Sequence, residues 1–276
     1  MSTTHPRSTP STQLATSADG TPIAYEVSGS GPALVLVDGA MCQRAMGPAR
    51  GLATELADRF TVYAYDRRGR GASGPGATPY AVERELEDLA AVLDAAGGSA
   101  SVFGASSGAT LALEAARRDV PIERLAVYES PFIVDDTHAA NDPELPTRVR
   151  EMVEGGRRGQ AVRTFLRTVG VPAPVIMLMP LLPAWRQMTG VAHTLPHDLT
   201  IVVGHQQGRP LEPGYYDAVR PRTLVVAGAK SPAYMRNAQA AIAAALPHAR
   251  LETLPGQTHM IKPKVLAPVL ASFMLG

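Results

Sequence analysis

At 276 residues, with 45% hydrophobic and 18% charged residues, the chain has the composition of one large globular domain with a sizeable core. Its formal net charge of +1 leaves no basic footprint for nucleic acid or an anionic membrane surface. A single cysteine, Cys42, excludes an internal disulfide, and no Cys/His cluster has zinc-ligand spacing, so a reducing, cytoplasmic setting without metal or other cofactor is expected.

Residues 1–12 are rich in Ser, Thr and Pro and carry no apolar run, which reads as a disordered tail and not a signal peptide. Strand-like runs at 14–17 and 23–27 flank Asp19-Gly20, a hairpin turn pair. Ala33-Leu34-Val35-Leu36-Val37 is continuously apolar, as a strand buried on both faces should be, and it ends at Asp38-Gly39-Ala40. A short helix over 51–58 and a strand over 60–65 follow. The strand ends in Asp66-Arg67-Arg68-Gly69-Arg70-Gly71, which reads as a solvated charged turn. Over 80–96, Val82, Leu86, Leu89 and Leu93 fall at helical spacing, with acids and Arg84 on the opposite face.

Ser101-Val102-Phe103 then leads into Gly104-Ala105-Ser106-Ser107-Gly108 and a small-residue helix over 109–118. A strand, a sharp Gly-x-Ser-x-Gly turn and a helix, in that order, form a nucleophile elbow, which makes Ser106 the candidate nucleophile. A strand over 125–128 ends at Glu129-Ser130-Pro131. Between 132 and 214 prolines and glycines are frequent, and 199–203 is an isolated strand-like run. The apolar stretch 169–185 is broken by Pro172, Pro174, Pro180 and Pro183 and is too interrupted to span a bilayer. Strand over 222–228, helix over 232–246, strand over 249–254 and helix over 263–274 complete the chain. Strands alternating with helices predict an α/β fold with a mostly parallel central sheet and helices on both faces. The expected core is 13–131 and 215–276, with 132–214 a cap inserted after the strand that ends at Glu129.

A serine hydroxyl needs a base to take its proton and an acid to orient that base. Of the seven histidines, His259 follows the last core strand, late in the chain, which suits the order nucleophile, acid, base. His205, within the inserted stretch, stays open as a second candidate. The acid departs from the commonest arrangement, an aspartate three residues after the glycine ending the 222–228 strand. That place holds Ser231. Glu129, at the end of the preceding core strand, opens into the same crevice and becomes the candidate acid; the plainer reading is a strand-end glutamate paired with an arginine. The Ser107 amide and one from Asp38-Gly39-Ala40 are the candidate oxyanion donors. Asp38 itself reads as a loop anchor, since a carboxylate facing a developing oxyanion would hinder.

With these segments in place the chain resembles the α/β-hydrolase family over nearly its whole length. Val35-Leu36-Val37-Asp38-Gly39, Gly104-Ala105-Ser106-Ser107-Gly108-Ala109, Tyr128-Glu129-Ser130-Pro131 and the approach from Leu254-Pro255-Gly256 to His259 are similar to the zearalenone lactonases. That resemblance implies Glu129 as the acid, Gly39 and Ser107 as the oxyanion donors, and Ala40 and Trp185 as lining for the substrate. The chain departs from the family in its cap and at Thr258, where a glycine is usual before the histidine. The expected activity is hydrolysis of an ester or lactone of a largely apolar small molecule. Met177, Leu178, Met179, Leu181 and Leu182 suit such a pocket. Carbon-carbon bond hydrolysis with the same residues and ligand binding without catalysis are the alternatives. Neither nucleic acid nor membrane is expected as a partner, and a homodimer is open to it.

Overall fold

The computed structural model of the protein describes residues 11–76 and 79–276. The tail expected over 1–12 lies outside the described residues as far as position 10. Thr12 is described, and its hydroxyl accepts a hydrogen bond from Arg44 Nη1 at 3.1 Å.

Strands β1 (Gln13–Thr16) and β2 (Pro22–Gly29) form the hairpin, whose turn is closed by Thr21 N–H donating to Asp19 Oδ1 at 3.0 Å. They are followed by β3 (Ala33–Val37), β4 (Thr61–Tyr65), β5 (Ala100–Ala105), β6 (Ile122–Tyr128), β7 (Arg222–Gly228) and β8 (Ala249–Leu254). All eight lie in one sheet in the order β1-β2-β4-β3-β5-β6-β7-β8. β1 and β2 pair antiparallel, as do β2 and β4, and every pairing from β4 through β8 is parallel. Helix α1 (Pro48–Leu56) follows β3, α2 (Val82–Ala95) follows β4, and α3 (Ser107–Arg117) follows β5. Between β6 and β7 the chain carries α4 (Leu145–Glu154), α5 (Arg158–Thr168), α6 (Ala173–Leu178), α7 (Ala184–Gly190) and α8 (Leu195–Val202). Then α9 (Ala233–Ala245) follows β7 and α10 (Pro263–Leu275) follows β8.

Side-chain alternation along a strand divides the core in two. In β3, Val35 and Val37 pack with Leu89 of α2, Leu111 of α3 and Ile242 of α9. Leu34 and Leu36 point the other way, into a cluster with Leu52 of α1 and Leu270 of α10. Both faces are therefore covered, which is why β3 is apolar without interruption. Each fully buried aliphatic side chain of this kind contributes about 2 kcal/mol of transfer free energy. A third cluster, with Leu145, Val162, Ile176 and Leu195, belongs to the inserted helices.

Two expectations are corrected. Residues 199–203 form no strand; they lie in α8 and the 3-10 turn after it. Leu195 and Leu199 join the inserted cluster while Ile201 and Val202 join the main core, so α8 is apolar on opposite sides and shows no helical stripe. The Asp66–Gly71 turn is not solvated, since Arg67, Arg68 and Arg70 are each 1–2% exposed. Two acids on the polar face of α2 are buried with these arginines. Glu85 holds Arg67 with contacts of 2.6 and 2.8 Å, and Asp88 holds Arg68 with contacts of 2.6 and 2.7 Å. Among the described residues, no helix is long and apolar enough to cross a membrane.

Candidate active site

β5 delivers Ser106 at the turn into α3. The serine has φ 56 and ψ −125, a conformation that L-residues rarely adopt and that the surrounding packing must hold in place. Its N–H donates to Tyr128 O at 2.9 Å, tying the elbow to the end of β6. Glycines surround it for steric reasons. A Cβ on Gly104 would lie 2.5 Å from Gly108 O, and one on Gly108 would lie 2.6 Å from Asp38 O. A Cβ on Gly39 would lie 2.9 Å from the Ser106 Cβ, so the loop after β3 reaches the serine only because position 39 has no side chain.

Glu129 follows β6 with φ 49 and is fully buried. Its Oε2 lies 2.9 Å from His259 Nδ1. Its Oε1 accepts hydrogen bonds from Gly228 N–H at 2.7 Å and from Ser231 Oγ at 2.6 Å. An ionised carboxylate only accepts, so it is Nδ1 of His259 that donates to it, and Nε2 is the ring nitrogen not engaged by Glu129. The imidazole is half exposed while its carboxylate partner is sealed, an arrangement in which one edge faces an acid and the other a substrate. The loop bearing His259 is held by Tyr128 Oη donating to Thr258 O at 2.6 Å, and by Lys230 N–H donating to Gln257 O at 2.8 Å. Among the described residues, Ser106 Oγ makes no hydrogen bond to His259. Such bonds are commonly loose before substrate arrives and tighten on binding.

Gly39 is buried and Ala40 half-buried at the turn that crosses in front of Ser106, and Ser107 opens α3, where the first amides have no intrahelical acceptor. The Asp38 side chain is buried, and its Oδ2 has no partner among the described residues. Burial, opposed by Arg70, pushes its carboxyl up to about 7. The His205 ring stacks on Phe132 at 4.2 Å and meets Tyr215 edge-on, and burial lowers its affinity for a proton. Glu129 pairs with His259 and not with His205. Trp185 packs among the inserted helices, with Arg163 5.0 Å over its ring and Gly159 beneath it. Met177, Leu178, Leu181 and Leu182 are exposed on the surface of those helices, outside their core. Sequence reasoning passed over Ser231 as a position without an acid. The available signal was that a hydroxyl stood there while a glutamate stood at the neighbouring strand end.

The family model described as the Alpha/beta hydrolase family matches residues 35–268, from within β3 into the first half of α10. The chain belongs to the alpha/beta hydrolase family. Among solved structures, it is similar to an alpha/beta hydrolase from Sphaerobacter thermophilus, with 48% identity, a TM-score of 0.86 and coverage of 95% of this chain and 99% of that one. It also resembles a hydrolase from Pseudomonas aeruginosa, with 25% identity and a TM-score of 0.71 over 96% of this chain and 98% of that one. The likeness to the enol-lactonase from Burkholderia xenovorans is one of fold, at 19% identity and a TM-score of 0.72 over 96% and 100% of the two chains. A curated relative, the uncharacterized hydrolase YraK of Bacillus subtilis, is 29% identical over 154 residues, which is 54% of this alpha/beta hydrolase and 55% of YraK. The match thus spans about half the length of that relative.

Proposed function

We propose that this alpha/beta hydrolase is a serine hydrolase that cleaves an ester or lactone of a largely apolar small molecule through an acyl-enzyme. The observation that carries the reading is the conjunction of Ser106 at φ 56 on a glycine-framed elbow with a His259–Glu129 pair at 2.9 Å, supplied by the segments that follow β8 and β6. A buried carboxylate fixing one edge of a half-exposed imidazole is what a base for a neutral serine requires.

In the proposed reaction Ser106 Oγ attacks the substrate carbonyl as its proton passes to His259 Nε2. Glu129 stabilises the imidazolium through Nδ1–H and keeps the ring in place. The Gly39 and Ser107 amides donate to the oxyanion of the tetrahedral intermediate. Collapse expels the alkoxide, which takes the proton back from Nε2. In an ester the alcohol departs; in a lactone it stays tethered as the ring opens. Water, activated by the same histidine, then attacks the acyl-enzyme and releases Ser106. We read α4 to α8 as a cap over this crevice, because a segment inserted at the carboxyl end of a parallel strand lies where ligands bind. The exposed Met177, Leu178, Leu181 and Leu182 and the half-buried Trp185 support an apolar substrate, and the zearalenone-type macrolactone is the member of that class that the segments around Ser106 and Glu129 favour.

The test is hydrolysis of a short-chain aryl ester and of a macrocyclic resorcylic lactone by the wild type, Ser106→Ala and Glu129→Gln. Turnover of either substrate, abolished in Ser106→Ala and reduced about a hundredfold or more in Glu129→Gln, is expected. Activity that persists in Ser106→Ala would sink the mechanism. A preference for the aryl ester would remove the macrolactone.

A further inference from the structure

The Arg67 and Arg70 guanidiniums meet one carboxylate, Asp198 of α8, at 2.7 Å on Oδ1 and 2.6 Å on Oδ2. Arg67 is also held by Glu85, so two cations and two anions balance in a cluster whose side chains are all at most 2% exposed. Burial opposes ionisation of Asp198, but Arg70 and Arg67 outweigh it and hold the carboxyl below its ordinary range.

Arg70 Nε donates to Thr194 Oγ1 at 3.2 Å and Tyr80 Oη to Glu85 Oε1 at 2.8 Å; the other side-chain contacts of this cluster end on the loop and helix start that frame Ser106. Arg67 Nη1 donates to Asp38 O at 3.3 Å, the carbonyl of the peptide whose N–H is that of Gly39. Arg70 Nη1 donates to Gly39 O at 2.7 Å, the carbonyl of the next peptide, and to Cys42 O at 3.1 Å, so it pins the turn on the far side of Gly39. Ser107 Oγ donates to Asp198 Oδ1 at 2.7 Å and accepts from Arg67 Nη1 at 3.2 Å. A cation on a peptide oxygen fixes the plane of that peptide and polarises its N–H, and in a low-dielectric interior such chained bonds strengthen one another.

We propose that Asp198 is a positioning residue for the oxyanion hole, setting the Gly39 amide through Arg67, the turn that carries it through Arg70, and the Ser107 amide through its hydroxyl. This rests on the assignment of those amides as oxyanion donors. It makes the inserted helices part of the catalytic apparatus, because the carboxylate that aligns the donors belongs to α8. An ion cluster that merely braced the fold would lower stability when broken without singling out the transition state. A positioning cluster acts on states that carry the oxyanion.

The experiment compares wild type, Asp198→Asn and Ser107→Ala in kcat and KM for a short-chain aryl ester, and in affinity for an alkyl trifluoromethyl ketone. With that ketone Ser106 Oγ forms a bond to the carbonyl carbon, the C=O π bond breaks, the serine proton goes to His259 and the oxygen becomes an anion facing the two amides. Asp198→Asn should lower kcat about ten- to a hundredfold, less than or equal to the loss of a whole donor, with KM within about twofold. Ketone affinity should fall in parallel. Ser107→Ala, which leaves both ion pairs intact, should show the same split at smaller size, and it decides the matter if Asp198→Asn fails to fold. Unchanged kcat and ketone affinity in folded Asp198→Asn, or in Ser107→Ala where the first does not fold, overturn the inference while the hydrolase reading stands. A wild type that neither cleaves the ester nor binds the ketone overturns both.

Discussion

Ser231 Oγ and the Gly228 N–H share one oxygen of Glu129, at 2.6 and 2.7 Å, and leave the other to His259. A fully buried carboxylate needs its lone pairs filled, and a charge-assisted hydrogen bond of this kind is worth about 2 kcal/mol. Ser231→Ala should therefore lower stability to urea by about that amount and reduce kcat about tenfold as Glu129 loosens. A variant with full activity would show that the Gly228 amide suffices. Asp38 gives a pH signature. Its carboxyl sits at about 7 in the folded protein against an ordinary 3.8, so its contribution to stability is complete below about pH 4 and is lost as pH rises through 7. Asp38→Asn carries no such charge. The stability difference in urea should move in favour of the variant by up to about 4 kcal/mol between about pH 4 and pH 8, and a difference that stays flat contradicts the buried, ionising carboxyl. Ser106, Glu129 and His259 could be proposed together because their chemistry and their place after strands coincide in sequence, and the structure brings Glu129 and His259 into contact. The buried arginines could not. Arg67, Arg68 and Arg70 find their acids at sequence separations of 18, 20, 49, 128 and 131 residues, and no local pattern separates such a turn from a solvated one.

The elbow is legible because it is local, a strand, a turn and a helix specified by neighbouring residues. What the pattern does not reveal is how many backbones converge on it. A side chain at Gly108 would strike Val37 O as well as Asp38 O, both main-chain atoms of β3 and the loop after it. Gly108→Ala must push α3 away from β3 and shift Ser106, at a cost of about 3 kcal/mol. The expected result is a lower urea midpoint with little residual ester hydrolysis. Unchanged stability would mean that helix and strand are less tightly apposed than these contacts require. α8 is the opposite case, an element misread because its surroundings are not local. It is wedged between two cores, so its apolar residues face both ways, and Pro196 and Asp198 in its first turn were the helix signals left.

For the whole molecule, alternation of strand and helix was enough to predict the order of elements, and the eight-stranded sheet bears out that prediction from β3 onward. The hairpin partners were also legible, but the pairing of β2 with β4 came from the structure, since a register between distant strands leaves no trace in either one alone. The inserted helices were visible only as a change of texture, rich in Pro and Gly. Their attachment to the site through Asp198 depends on one residue in that stretch. All three scales converge on a single claim, that Ser106 is an activated nucleophile held by His259 and Glu129. The most direct measurement is the intact mass of the protein after treatment with a fluorophosphonate, for wild type, Ser106→Ala and Glu129→Gln. The account predicts one adduct on wild type, located at Ser106, slower labelling of Glu129→Gln and none of Ser106→Ala. An unlabelled wild type, or an adduct that survives Ser106→Ala, contradicts it.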